Sequence, residues 1–478
     1  MTHDVLVLGG GTAGLTAARS ARLQGAHTVL VDRQPRLGGE CTFVGCVPSK
    51  TLIEAARVLW SIRHAERIGI HVDGVRLDFA ALMRHKDRVI DDINRDESDS
   101  SMEEAGIEIA RGEATFTSPH TVRVGQDELR FERVVLCQGS DPAVPPVPGL
   151  DGVAYLTNES VFSLETLPRR LLVLGAGPIG LEMAQCFHRL GSEVTVVGRG
   201  LQCLPKEDPE VGVVVRRFLE REGVELLLGS EPTAVREEGA EIVVDVTLPD
   251  GGSRSLRGDR LLVATGRRPR TAGLGLEALG LDPDPGGIRV DERCRTSVEH
   301  VFAAGDVTGG YQFTHWAAHQ GRVAGANAAG KRQKTSDRVL PWVTFLDPEV
   351  ARVGLTEPEA RERHGGAVEV ARFPFSRIDR ARTMLETEGF IKLIVTKPPL
   401  IGDATGGQVV GCHIVGVHAG EMIHEVVVSM QAKTFAGRLA QAIHAYPTLA
   451  LGVQQAAAQL FAGGRALSEA EPLDPIVS

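Results

Sequence analysis

A strand, a glycine-rich turn and a helix, repeated once, constrain this chain more than any other feature. Val5-Leu6-Val7-Leu8 runs into Gly9-Gly10-Gly11-Thr12-Ala13-Gly14 and then a helical pattern. Leu171-Leu172-Val173-Leu174 runs into Gly175-Ala176-Gly177-Pro178-Ile179-Gly180 and another helical pattern. A second apolar strand follows each copy, Thr28 to Val31 and Val194 to Val197. Further on, Val134-Val135-Leu136-Cys137-Gln138-Gly139 matches Leu261-Leu262-Val263-Ala264-Thr265-Gly266, both apolar strands ending at a glycine. A lone G-x-G-x-x-G is weak evidence, since ordinary turns also collect glycine. Here strand, turn and helix stand in the right order twice, which is the start of a dinucleotide-binding βαβ unit. The glycines permit the tight turn and let backbone N–H groups reach a pyrophosphate at the positive end of the helix.

The end of the second strand distinguishes the two copies. Asp32 stands there in the first, where a carboxylate accepts from a ribose hydroxyl; the bland alternative is a solvated strand end. The second copy reads Val197-Gly198-Arg199-Gly200. With no carboxylate and a guanidinium in its place, it favours NADPH over NADH, against the alternative of a surface arginine.

The segment Gly38-Gly39-Glu40-Cys41-Thr42-Phe43-Val44-Gly45-Cys46-Val47-Pro48-Ser49-Lys50 carries the chemistry. Its C-x4-C spacing is not a zinc knuckle, and no second Cys or His cluster completes one. A disulfide needs Cα atoms ~4.4–6.8 Å apart, which two cysteines around the first turn of a helix can meet. A helix N-terminus also favours the reactive thiolate. The competing reading is a buried, inert pair. The other cysteines, Cys137, Cys186, Cys203, Cys294 and Cys412, are scattered, so no secreted disulfide framework is expected.

With these motifs in view, the chain resembles the pyridine nucleotide-disulfide oxidoreductases, the group of glutathione reductase, dihydrolipoamide dehydrogenase and mercuric reductase. That family carries G-G-x-C-x3-G-C-x-P-S-K at its redox centre, and the likeness spans about residues 4–462. The resemblance implies FAD in the first site, NAD(P)H in the second and a homodimer made by the C-terminal domain. Val301-Phe302-Ala303-Ala304-Gly305-Asp306 is similar to the family's second FAD motif, with Asp306 at the ribityl chain. Lys50 and Glu182 take the positions of an ion pair beside the flavin. Gly39, Thr42, Gly139, Gly266 and Gly305 are further expected cofactor contacts. The resemblance also implies electron flow from nicotinamide to flavin to Cys46, with Cys41 as the thiol that meets the substrate.

Disulfide-reducing members carry His-Pro-Thr near the C-terminus, with a glutamate five residues after the histidine. This chain reads His444-Ala445-Tyr446-Pro447-Thr448-Leu449-Ala450-Leu451, so Tyr446 takes the histidine position and Leu451 the glutamate position. A tyrosine with pKa near ~10 is a poor base at neutral pH. His444 stands two residues early and reads as structural. Mercuric reductase has a tyrosine in this region, and Tyr155 matches another of its metal-side tyrosines. The alternative is that Tyr446 fills the space of a lost histidine and Tyr155 packs between domains. The end of the chain, Leu473 to Ser478, has no cysteine pair, leaving Cys41 and Cys46 as the expected place for transient Hg(II).

The expected architecture is α/β: two Rossmann-like dinucleotide-binding domains plus an α+β C-terminal dimerisation domain. The boundaries are 1–150 for the first part of the FAD domain, 151–270 for the NAD(P)H domain and 271–335 for the return to the FAD domain. Residues 336–465 form the dimerisation domain and 466–478 a polar tail. Within this, Thr51 to Ala105 reads as helical, Asp141 to Gly149 as a linker, and Glu421 to His444 as helical. A formal charge of −10 argues against nucleic acid or an anionic membrane as partner. No apolar run approaches the ~20 residues that span a bilayer, and the N-terminus has no signal-peptide pattern, so a cytoplasmic location is expected. The expected activity is NADPH-dependent reduction of Hg(II)-thiolate or a related thiol-reactive substrate. The alternatives are a dihydrolipoamide dehydrogenase-like disulfide reductase with altered acid–base chemistry, a quinone reductase, or a non-enzymatic redox sensor.

Overall fold

The computed structural model describes residues 2–397 and 405–461, so the tail 466–478 lies outside the described residues. The described residues form two compact units: 2–175, 186–197 and 231–336 in the first, and 176–185, 198–230, 337–397 and 405–461 in the second.

In the first unit, β1 (Thr2–Leu8) leads into α1 (Thr12–Leu23) and β2 (Thr28–Asp32). The apolar runs of β1 and β2 form parallel strands buried within a sheet, as a two-faced covered sheet requires. A short helix, α2 (Gly39–Phe43), and a long one, α3 (Cys46–Arg63), follow. Then come β3 (Glu108–Arg111), β4 (Ala114–Ser118), β5 (Thr121–Val124) and β6 (Asp127–Leu136). The sheet order is β3-β2-β1-β6-β5-β4, with the strand Val301–Ala303 pairing parallel to β6. β3, β2, β1 and β6 run parallel; β4 and β5 form an antiparallel extension.

The helix Thr314–Ala328 packs on α1 through small residues. A Cβ on Gly321 would come 2.2 Å from Ala13 O, and one on Gly325 2.1 Å from Ala17 O. Glycine at both positions therefore lets the two backbones touch, which fixes where Thr314, at the helix start, ends up.

Arg170–Leu174 lies between Glu193–Gly198 and Arg260–Val263 in a second parallel sheet, the start of the second dinucleotide-type repeat. The second unit holds a five-stranded antiparallel sheet in the order Pro341–Thr344, Glu349–Gly354, Gln408–Gly416, Phe390–Thr396 and Val368–Pro374. The helix Ala419–Gln431 packs against this sheet through Met422, Ile423 and Val426. The fold is thus α/β with an α+β C-terminal part. Among the described residues, no helix is long and apolar enough to cross a membrane.

Three stretches differ from expectation. The helical stretch from Thr51 begins earlier, at Cys46, and is broken after Arg63; Gly69 (φ 80°) and Gly74 (φ 76°) sit in an irregular segment before the helix Phe79–Asn94. Positive φ at these glycines is incompatible with a continuous right-handed helix. The stretch from Glu421 to His444 divides into Ala419–Gln431 and Ala436–Gln441, because Lys433 adopts φ 54° between them. The expected linker, Asp141 to Gly149, begins inside a strand, since Ser140–Pro142 pairs antiparallel with Arg267–Pro269.

Candidate active site

The turn after β1 is built so that no side chain could fit. A Cβ on Gly9 (φ 105°) would meet Cys137 O at 2.4 Å, and one on Gly14 would meet Gly9 O at 1.7 Å. Gly39 (φ 65°) lies against Gly11, where a Cβ would approach Gly11 Cα to 2.6 Å. The Gly38 amide donates to Gly10 O at 2.9 Å, which lays the cysteine segment across the turn. No side chain caps the first turn of α1, so its N–H groups suit a pyrophosphate. Gln138 adds a second mark of a ligand: its side-chain amide oxygen and nitrogen are both buried without a partner. Beside it, Gly139 (φ 74°) has open space where a Cβ would stand. A glycine cradle and an orphaned amide fit a dinucleotide such as FAD.

Asp32 accepts from two backbone amides: Gly10 N–H bonds one carboxylate oxygen and Gln34 N–H the other, the latter at 2.6 Å. Thr42 is buried and donates to Glu97 at 2.7 Å. Asp306 follows Gly305 (φ 79°) and accepts from Ser140 Oγ at 2.7 Å. Arg267, 3.7 Å from Asp306, also pairs with Glu40, one residue before Cys41. Burial pushes the Glu40 carboxyl up, against the pull of Arg267.

In the second repeat, Gly175 (φ 120°) would place a Cβ 2.3 Å from Ala264 O, and Gly266 takes φ 130°. Gly177 has nothing within 4 Å of where a Cβ would stand, and Gly180 is buried in the helix Pro178–Leu190. Arg199 is exposed, directly after the strand Glu193–Gly198.

Gly45 brings the two cysteines together. It caps α3 at the turn from α2, where a Cβ would meet Glu40 O at 2.8 Å and Cys41 Cα at 3.2 Å. Cys46 is the first residue of α3, and Lys50 follows one turn later on the same helix. Thr314 Oγ1 lies 3.3 Å from Cys41 Sγ and 3.4 Å from Cys46 Sγ. Both cysteines are in the thiol form, Cys46 exposed and Cys41 half-buried. The Cys41 thiol is pushed up, first by its hydrogen bond with Cys46 and then by burial, while Thr314 pulls it down. The other cysteines are buried; burial raises Cys203 and Cys294 to about 12, and Cys137 and Cys412 are raised as well.

Tyr155 is half-buried in the first unit. In the second unit, Glu182 is buried, and its carboxylate accepts from Phe345 N at 2.7 Å. Tyr446 is 71% exposed and donates to Asp379 at 3.1 Å, which raises its pKa further. His444 is held between two oxygens, Ala442 O at 3.0 Å and Glu425 Oε1 at 2.9 Å. Burial pushes the Glu425 carboxyl up while His444 pulls it down.

Two functional features escape the sequence. Thr314 stands 268 residues from Cys46, and Glu425, on the helix Ala419–Gln431, is 19 residues from His444. No spacing motif links either pair.

Comparison with known proteins agrees with this geometry. The pyridine nucleotide-disulphide oxidoreductase family matches residues 3–321, and its dimerisation domain matches residues 340–457. A mercuric reductase of Bacillus cereus is 34% identical over 456 residues, covering 95% of this chain and 71% of the relative. A dihydrolipoyl dehydrogenase of Bacillus subtilis (strain 168) is 32% identical over 481 residues, covering 97% and 99%. Among solved structures, the Cu(II) complex of the HOCl-induced flavoprotein disulfide reductase RclA from Escherichia coli superposes with a TM-score of 0.84 at 28% identity, covering 96% of this chain and 99% of that one.

Proposed function

Because the chain belongs to the pyridine nucleotide-disulphide oxidoreductase family, whose members are FAD-dependent and use NAD(P)H, we propose that it passes electrons from NADPH through the flavin and the Cys41–Cys46 pair to a thiophilic metal acceptor, Hg(II) carried as a thiolate complex. The observation that carries this reading is the pair of sulfurs gathered around the Thr314 hydroxyl.

The chemistry that bound FAD supplies is hydride acceptance from the nicotinamide and two-electron delivery to the disulfide. It would be held by the Gly9, Gly11 and Gly14 turn, Asp32, Gly39, Thr42, Gly139, Gly305 and Asp306. NADPH would be held by Gly175, Gly177, Gly180, Gly266 and Arg199. Reduction breaks the Cys41–Cys46 bond and leaves one proton and one negative charge on the pair. The proton stays on Cys41 and the charge on Cys46, in keeping with the raised Cys41 pKa. Lys50, one turn along α3, and Glu182 are the proposed flavin-side residues. Hg(II) displaces the Cys41 proton and binds sulfur, with Tyr155 and Tyr446 as the proposed metal-side tyrosines. In balance, NADPH, the mercuric bis-thiolate Hg(SR)2 and H+ become NADP+, Hg(0) and two RSH, the Cys41 proton leaving on one of the displaced thiolates.

A metal acceptor needs no protein base, which suits an exposed Tyr446 whose pKa is raised. The mercuric reductase relatives and the Cu(II) complex of RclA support a metal acceptor of this class. Reduction of a disulfide such as lipoamide is the second reading. It is favoured by the His444–Glu425 contact, an imidazole and a carboxylate able to hold and release a proton. We propose a homodimer, and the boundaries 1–150, 151–270, 271–335 and 336–465. Pairing of Val301–Ala303 with β6 supports the return of 271–335 to the first domain.

The test is an anaerobic NADPH titration of the purified flavoprotein, followed by an Hg(II)–thiol complex. A long-wavelength band that forms, is absent in Cys46→Ser, and is discharged with release of Hg(0) is the expected result. If the band forms but Hg(II) only poisons the enzyme, the metal acceptor is wrong, and lipoamide turnover that falls in His444→Ala supports the second reading. If NADPH leaves the flavin oxidised, the whole assignment fails.

A further inference from the structure

Three polar side chains meet at the edge of the first sheet, at the strand ends away from the glycine turn and Asp32. His3 lies in β1, His27 immediately precedes β2, and Glu108 opens β3. The parallel order β3-β2-β1 brings these strand starts side by side. His3 Nε2 is 2.9 Å from one Glu108 oxygen and His27 Nε2 2.7 Å from the other. The two imidazoles stack with centroids 4.7 Å apart. One ligating atom from each residue lies within 4.8 Å of the others.

The remote nitrogen of His3 adds the second observation. His3 is only 4% exposed, and its Nδ1 faces Arg130 O at 3.3 Å. Both of its ring nitrogens therefore face oxygen acceptors, whereas a neutral imidazole has a single N–H. With that hydrogen on Nδ1, the Nε2 lone pair faces the Glu108 carboxylate and a cation can bridge the two, whereas an imidazolium would donate to both oxygens. An imidazole anchored through one nitrogen by a backbone carbonyl is the usual outer support of a metal-binding histidine. His27 is also held, its backbone N–H donating to Asp4 at 2.8 Å.

We propose that His3 Nε2, His27 Nε2 and the Glu108 carboxylate form a site for a divalent borderline transition ion of the Zn2+ class. Two imidazoles select Zn2+, Cu2+ or Ni2+ over Mg2+ and Ca2+, which take oxygen ligands. Metal–ligand distances of ~2.0–2.2 Å place tetrahedral donor atoms about 3.3 Å apart. The Glu108 side chain, 55% exposed, has room to withdraw by that difference. Water takes the remaining position on the open side. The ion ties together the starts of three adjacent strands, so its role is structural and separate from the cysteines.

The test is calorimetric titration of the oxidised holoenzyme with Zn2+, in wild type, His27→Ala, Glu108→Gln and Cys41→Ser/Cys46→Ser. The expected result is one ion per chain in wild type and in the double cysteine variant. Binding should weaken by about 100-fold or more in His27→Ala and Glu108→Gln. Flavin absorbance should stay the same, which shows that the variants are folded. Zn2+ should also raise the thermal midpoint of wild type but not of His27→Ala. No binding by wild type would overturn the proposal and leave His3 as a cation paired with Glu108. So would unchanged affinity in His27→Ala, or loss of binding in the cysteine variant alone.

Discussion

Thr314 places one hydroxyl hydrogen within reach of two sulfurs, 3.3 Å from Cys41 and 3.4 Å from Cys46. A donor to a thiolate favours the charged form, and its contribution at Cys41 is a lowering of the pKa. Thr314→Val keeps the shape and removes the hydrogen. In a Cys46→Ser background, where Cys41 is the remaining thiol of the pair, the rate of iodoacetamide alkylation should then shift to higher pH. At neutral pH the rate should fall by about tenfold, the value of one hydrogen bond to a charged sulfur. An unchanged rate–pH profile would show that the hydroxyl does not tune the thiol. The two cysteines could be read from the sequence because α2, Gly45 and α3 are contiguous, so local geometry alone joins them. Thr314 could not, since only the packing of Gly321 and Gly325 against Ala13 and Ala17 delivers it. The C-terminal register puts Tyr446 at the family's histidine position, yet the histidine–carboxylate contact that exists is His444 with Glu425.

At the scale of elements, the strand Gln408–Gly416 carries a buried His413. Its Nε2 donates to Leu355 O at 3.1 Å. Burial first, and Arg352 next, hold its pKa down at about 4, with Asp208 opposing and Lys392 adding to the lowering. The folded state therefore binds this proton more weakly than the unfolded chain, whose value is 6.5. The sign follows from linkage: the contribution is complete above 6.5, falls as pH drops from 6.5 to about 4, and is flat below. Its size is on the order of 3 kcal/mol. His413→Gln removes the titration and can keep the bond to Leu355. Thermal midpoints measured from pH 7 to pH 4 should fall more steeply for wild type than for the variant; parallel curves would refute the assignment. The buried Lys392–Asp208 pair, 2.9 Å apart, was not legible, because a lysine in a strand ordinarily signals an exposed face. The breaks at Gly69 and Lys433 were also missed, since helical periodicity on either side masks a single residue with positive φ.

For the molecule as a whole, the parts that could be read were those with periodic signals: two glycine turns and their flanking strands. Assembly leaves no such signal, and the expectation of a dimer rested on resemblance. The structure supplies a physical reason for it. Ile443 is 100% exposed, Tyr446 71% and Val428 67%, an unusual concentration of solvent-facing apolar surface. They cluster in sequence and structure, since Glu425, which touches His444, lies one turn before Val428 on the same helix. A second copy meeting this surface about a two-fold axis would cover each residue twice, so any single substitution is felt at two places. Burying an isoleucine contributes ~1.5–3 kcal/mol, so Ile443→Asp should weaken a dimer by at least about 3 kcal/mol, more than 100-fold in Kd. Sedimentation equilibrium at micromolar concentration should give twice the chain mass for wild type and a monomer–dimer mixture for Ile443→Asp. A wild-type monomer would remove the dimer itself, whereas a variant as tightly dimeric as wild type would move the interface away from Ile443. The second outcome would also uncouple assembly from His444, which Glu425 holds beside this surface.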